Sequence, residues 1–180
     1  MKKQIEPGTI LISKPFMEDK RFEKTVILIT EHSENGSVGF ILNKQLSLNI
    51  QELIANFPTK LNLKEGGPVE TDSVFFIHTY PDLINNSISI KDGLFWGGDF
   101  EDIIQGFNNE EIKKNEIAFF LGYSGWEKNQ LIDEIKEGSW ITHGINLKNF
   151  NSKISWPALL IEINKEYEVW ASAPSDFHLN

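Results

Sequence analysis

Between residues 116 and 140 an apolar run, Ile117-Ala118-Phe119-Phe120-Leu121, breaks at Gly122-Tyr123-Ser124-Gly125-Trp126 and gives way to residues spaced for an amphipathic helix. A capping box of Ser124 and Glu127 is expected to start that helix. Leu131, Ile132 and Ile135 form its apolar stripe, and Gly138 is its left-handed stop. Upstream, residues 9–12, 24–31 and 37–43 read as strands. The polar stretch His32-Ser33-Glu34-Asn35-Gly36 joins the last two as a hairpin loop, because an Asn-Gly pair tolerates positive φ. Asn49, with Glu52 three residues on, caps a short helix carrying Ile50, Leu53, Ile54 and Phe57 on one face until Pro58 stops it.

In residues 74–79 the side chains of Val74, Phe76 and His78 point one way and those of Phe75, Ile77 and Thr79 the other, so both faces are expected to be covered. Ser87-Ile88-Ser89-Ile90 alternates like a half-exposed strand, and Asp92-Gly93 turns it back into Leu94-Phe95-Trp96. Asp99 and Asp102 open a helix with Ile103, Ile104 and Phe107. Trp156, Leu159, Leu160 and Ile163 have helical spacing, with a hairpin to residues 167–171 as the alternative. No repeat or long linker divides the chain. Strands and short helices without a βαβ rhythm predict one α+β domain over residues 1–180, with a mainly antiparallel or mixed sheet.

Composition narrows the function classes. A chain of 180 residues suffices for one core, and thirteen Phe and five Trp supply large side chains for it. With 26 acidic against 17 basic residues the net charge is -9, which disfavours direct DNA contact or any other nucleic acid partner. The absence of cysteine excludes disulfides and thiolate chemistry, and makes the cytoplasm the expected compartment. Met1-Lys2-Lys3-Gln4 is followed by no apolar stretch of signal-peptide length, so neither export nor membrane insertion is expected.

Gly122-Tyr123-Ser124-Gly125 resembles a nucleophile elbow, but the second glycine comes one residue early, and Ser124 is already assigned to a cap. The alternative hydrolase or transferase would use His32 or His78 as general base with Ser124. His32, His78, His143 and His178 are isolated in sequence, so no metal is expected. Gly66-Gly67-Pro68 lacks the lysine and hydroxyl of a P-loop. Gly97-Gly98 precedes a helix whose first turn is acidic and would repel an anion.

The order of motifs resembles the AlgH/YqgE family of small bacterial proteins along nearly the whole chain. These are Gly8-Thr9-Ile10-Leu11-Ile12-Ser13-Lys14-Pro15, Phe22 leading to Thr25-Val26, Glu31-His32, Gly36-Ser37-Val38-Gly39, Asn43-Lys44, Gly66-Gly67-Pro68-Val69 and Phe76-Ile77-His78. The sharpest block is Gly122-Tyr123-Ser124-Gly125-Trp126 with Gln130-Leu131, Glu134-Ile135 and Trp140. Lys20, Lys24 and Gln45 depart from the family's usual proline, arginine and proline. The resemblance implies a strongly bent sheet, and family members commonly carry alanine at the place of Ser124. It also brings the label of transcriptional regulator, although neither a helix-turn-helix nor a basic face is found here. The expected function is therefore a non-enzymatic binding or regulatory domain without cofactor, acting through a protein partner or small ligand. Its expected surface comprises Glu31, His32, Asn43, Lys44, Gly66, Gly67, Pro68, Tyr123 and Trp126, on loops richer in polar and glycine residues than strand connection demands, together with His78.

Overall fold

The computed structural model describes residues 5–173, so Met1-Lys2-Lys3-Gln4 and His178 fall outside the described residues. Ten strands join in one sheet. They are β1 (Ile10–Ser13), β2 (Val26–Ser33), β3 (Gly36–Ile41), β4 (Gln45–Asn49), β5 (Asn62–Glu65), β6 (Val69–His78), β7 (Ile88–Lys91), β8 (Leu94–Trp96), β9 (Ile117–Glu127) and β10 (Trp140–His143). The main path runs β10-β1-β2-β3-β9-β6-β8-β7, with β5 attached to β9 and β4 to β5. Among the described residues only the β5–β9 pair is parallel, so the protein is a single α+β domain with a mainly antiparallel sheet.

The unbroken apolar runs exist because the sheet is covered on both faces. In β2, Val26 and Leu28 enter a central core with Phe40, Ile77, Ala118 and Phe120, whereas Ile27 and Ile29 face an outer cluster with Trp126, Leu131 and Trp140. β6 and β9 repeat the arrangement: Ile77, Ala118 and Phe120 point inward, and Phe76, Ile117 and Phe119 face a second outer cluster with Ile103 and Phe57. Helix α2 (Phe100–Asn108) supplies Ile103 to that cluster, and α3 (Gln130–Glu137) supplies Leu131 to the other. Full burial of such side chains contributes about 1.5–3 kcal/mol each before entropy. Toward its edges the sheet curls around the central core, where Lys91 of β7 pairs with Glu6 just before β1 and shares a cavity with Thr142 and His143 of β10.

Strand β9 is the spine of the fold, and it changes partners at Gly122. Before that residue it pairs with β5 and β6; after it, residues 124–127 pair with β3. On β6, Val69 lies opposite Tyr123 and Val74 opposite Leu121, so residues 70–73 face Gly122 alone. Such an excess bends the sheet, and Gly122 accommodates it at φ +71. The backbone of Gly66-Gly67 crosses at this bend. A Cβ on Gly66 would lie 2.0 Å from the Gly122 carbonyl oxygen, and one on Gly67 2.3 Å from the Tyr123 carbonyl carbon.

The structure corrects the predicted start of α3. Ser124 and Glu127 form no capping box, because the ladder to β3 keeps residues 124–127 extended. The helix begins after Asn129, at φ 65, and the Gln130 side chain accepts the Glu127 backbone N–H at 2.9 Å. Gly138 is the left-handed stop, at φ 87, but Ile132 is 37% exposed and drops out of the apolar stripe. The hairpin between β2 and β3 is tighter than expected, since its strands run to Ser33 and Gly36 and leave only Glu34-Asn35 as the turn. Asn49 and Glu52 form the predicted capping box on α1 (Ile50–Leu53), although Leu53 faces solvent. Helix α4 (Trp156–Ile163) replaces the alternative hairpin and is followed by α5 (Glu168–Ala171). Trp156 and Leu160 reach the central core, and the Trp156 indole donates to the Ser13 carbonyl at 2.8 Å.

Candidate functional site

Two concavities flank the central core, and the antiparallel pairing of β3 with β9 fixes where each lies. Toward the β2–β3 turn, Glu31, His32, Tyr123 and Trp126 line an open groove of about 790 Å³. Toward the other end of β3, Leu42 and Asn43 line a second cavity of about 450 Å³ together with residues 117–119 of β9. Val38 lines the groove and Leu42 the cavity, so about 13 Å of strand separates them at the usual rise per residue.

In the groove, Tyr123 and Glu127 fall on one face of β9 by strand alternation, while Trp126 enters the outer cluster and shows the groove only its margin. Its indole N–H donates to Glu134 Oε2 at 2.9 Å, and Trp140 donates to the same oxygen at 2.7 Å. Glu134 thus holds both rings beside Phe22, a role that its helical position alone does not reveal. His32 Nδ1 lies 2.8 Å from Ser37 Oγ across the β2–β3 ladder. Glu31 and Glu127 also line the groove, and among the described residues no lysine or arginine does.

The ten expected surface residues do not form one surface. Glu31, His32, Tyr123 and Trp126 come together, whereas Asn43 lines the second cavity. The Asn43 side chain also clamps the chain locally: it accepts from the Val26 N–H and donates to the Lys24 carbonyl, both at 2.8 Å. Lys44 Nζ donates to the Arg21 carbonyl at 2.9 Å. Gly66 and Gly67 are buried in the crossing at Gly122, and Pro68, half-buried, follows them into β6. Their glycine character answers close backbone approach, which neither turn propensity nor loop composition registers.

His78 is fully buried, and both ring nitrogens are engaged. Nδ1 accepts the Tyr80 backbone N–H at 3.1 Å, which makes Nε2 the donor to the Gly97 carbonyl at 3.0 Å. Burial holds its pKa below the ordinary histidine value, partly opposed by the Gly97 bond, so His78 is a neutral structural histidine and not a base facing substrate. Ser124 is fully buried too, and its hydroxyl donates to the Gly66 carbonyl at 3.1 Å. This bond ties β9 to the glycine crossing. It removes the serine of the alternative hydrolase from any surface.

Lys64 is the residue that sequence reading missed. It sits on β5 beside Phe120, on the inward face of the sheet, and lines the second cavity while only 6% exposed. Burial alone pushes its pKa down to about 8. A lone lysine between Leu63 and Glu65 carries no sequence signal; the parallel pairing of β5 with β9 turns it inward. Among the described residues, no group of three or more histidine, cysteine or acidic side chains is placed to hold a metal ion, and no helix is long and apolar enough to cross a membrane.

Comparison with known proteins places this geometry in a family. The AlgH-like family model matches residues 10–168. A UPF0301 protein of Bacteroides thetaiotaomicron is 39% identical over 172 residues, spanning 93% of this chain and 87% of its own. A UPF0301 protein of Cytophaga hutchinsonii is 38% identical over 178 residues, spanning 96% and 98%. The solution structure of the AlgH protein from Pseudomonas aeruginosa superposes with a TM-score of 0.73 at 22% identity, covering 97% of this chain and all of that one. A crystal structure of a Corynebacterium diphtheriae protein gives 0.75, also at 22% identity, covering 96% and 95%. At that identity the likeness concerns the fold. The chain belongs to the AlgH-like family.

Proposed function

We propose that the protein is a binding domain without covalent chemistry, and that its groove receives a positively charged segment of a protein partner, through which any regulatory effect runs. The observation that carries this reading is the groove's composition. Glu31 and Glu127 meet there with the Tyr123 ring and the apolar side chains of Val69 and Ile88, and among the described residues no lysine or arginine accompanies them. Carboxylates beside an aromatic face favour lysine or arginine, and the acidic chain as a whole draws such a segment in. The groove is open, with a volume of about 790 Å³, and residues of the β3–β9 ladder line it.

The test is an NMR titration with hexalysine and, as control, hexaglutamate. Amide shifts should concentrate at residues 31–37 and 123–127, and Glu31→Gln combined with Glu127→Gln should weaken hexalysine binding several-fold, at about 0.2–1 kcal/mol per exposed charge pair. Shifts scattered over the surface, with the double variant binding like the parent, would sink the reading.

A hydrolytic reading keeps one observation, the His32–Ser37 contact inside the same groove. Ser37 is only 6% exposed, and the 2.8 Å contact at Nδ1 is the bond of His32 that anchors the imidazole to the neighbouring strand. Covalent labelling of Ser37 by a fluorophosphonate would establish this reading; an unlabelled protein is the expected result.

A further inference from the structure

We propose that the cavity around Lys64 is a second binding site, separate from the groove, for a small organic carboxylate with an apolar body. The argument begins with what the fold does to one charge. Lys64 points into the sheet's inner face beside Phe120, where an ammonium without a partner is costly. Buried cations in proteins are normally paired. Here, among the described residues, no carboxylate lies within 4.0 Å of its Nζ. No neighbouring charge or hydrogen bond contributes to its lowered pKa either; burial is the only cause.

The cavity supplies the rest of the recognition. Lys153 stands on its exposed rim as a second cation, and among the described residues no aspartate or glutamate lines it, although the chain carries a net charge of -9. Leu42, Ala118 and Ile154 provide an apolar wall for a short hydrocarbon or aromatic body. The wall is preformed, because Asn151 Nδ2 donates to the Ile117 carbonyl at 2.7 Å and fastens the loop that carries Lys153 and Ile154 to the start of β9. A volume of about 450 Å³ suits a small molecule and excludes a folded partner. One buried ammonium on an apolar wall suits a monoanion. Phosphate recognition draws on an arginine fork or a set of converging N–H donors, and no arginine lines this cavity.

The experiment uses benzoate as the anionic probe and benzamide as its neutral isostere, each titrated into the whole chain while backbone amide shifts are followed. Benzoate should shift Leu42, Ala118 and Ile154 saturably with a millimolar or tighter Kd. Benzamide should bind at least about tenfold more weakly, a difference of about 1.4 kcal/mol. Lys64→Met should remove the preference while leaving the rest of the spectrum folded, and Lys64→Arg should retain it. Benzoate affinity should fall as the pH rises past about 8, because the bound form requires the Lys64 ammonium; Lys153, the other titratable side chain lining the cavity, is exposed. Equal binding of the two probes, an unchanged preference in Lys64→Met, or no saturable benzoate response at these residues would each overturn the proposal. None of these outcomes touches the groove, whose hexalysine response reports separately.

Discussion

The groove and the Lys64 cavity lie against the same central core, share β9 as a wall, and carry opposite charge. Among the described residues, Glu31 and Glu127 face the groove without a lysine or arginine, while Lys64 and Lys153 line the cavity without a carboxylate. The difference teaches that net charge describes a surface poorly once a sheet bends. An acidic chain has enclosed Lys64, the one buried lysine among the described residues, where none of their carboxylates pairs with it. The groove charges lie at an open surface and are screened, whereas Lys64 is largely buried and loses part of its hydration.

The glycine crossing separates the two regions, so the largest effect is expected there. Gly67→Ala would push a Cβ to within 2.3 Å of the Tyr123 carbonyl and 2.4 Å of the Ser124 nitrogen at a φ of +155, against backbone that cannot give way as a side chain could. It should cost about 4 kcal/mol or more in urea denaturation and abolish binding in groove and cavity together. Loss of one without the other would break the idea that the crossing holds both.

Lys64→Met comes next, and its effect has the opposite sign. The folded pKa of about 8 lies below the unfolded value of 10.5, so the unfolded chain binds the proton more tightly. Stability therefore rises as pH increases from about 8 to 10.5, and the full penalty applies below about 8. At about 1.4 kcal/mol per pH unit, the methionine variant should gain about 3 kcal/mol at pH 7, with the gain shrinking toward zero above pH 10.5. Denaturation midpoints measured from pH 7 to 10 check this. A constant difference across that range would mean that packing and not charge is responsible. The groove's response to hexalysine should not change.

Ser124→Ala should have the smallest effect, about 1 kcal/mol, because one buried hydrogen bond is lost while the Gly66 carbonyl still accepts the Ile41 N–H at 3.0 Å. Neither binding response should change. A loss of several kcal/mol would show that the hydroxyl, more than the glycines, holds the crossing closed.

Much of the fold was legible along the chain because local pattern and tertiary environment agree. The runs at Val26 and Ile117, the Asn49–Glu52 cap, the Asp92-Gly93 turn and the stop at Gly138 all appear as read. Strands β4 and β5 did not announce themselves: each is short, and β4 is paired only with β5. β6 begins five residues earlier than its apolar segment because Val69 pairs with Tyr123 across the bend. Ser124 shows the same limit. Its spacing to Glu127 satisfies a cap, but the ladder from Gly36 to Gly39 claims those residues for the sheet.

Of the expected site, adjacency in sequence located Glu31 with His32 and Tyr123 near Trp126, but only the pairing of β3 between β2 and β9 brought the two pairs into one groove. The same topology sent Asn43 to the other end of the core, buried His78, and turned Lys64 inward. By itself the sequence determined the family, the α+β class and which segments bury apolar faces, because these depend on short-range periodicity and composition. Which polar groups share a cavity, and which charge lies out of water, was decided by contacts between residues dozens of positions apart, and those exist only once the sheet has bent at Gly122.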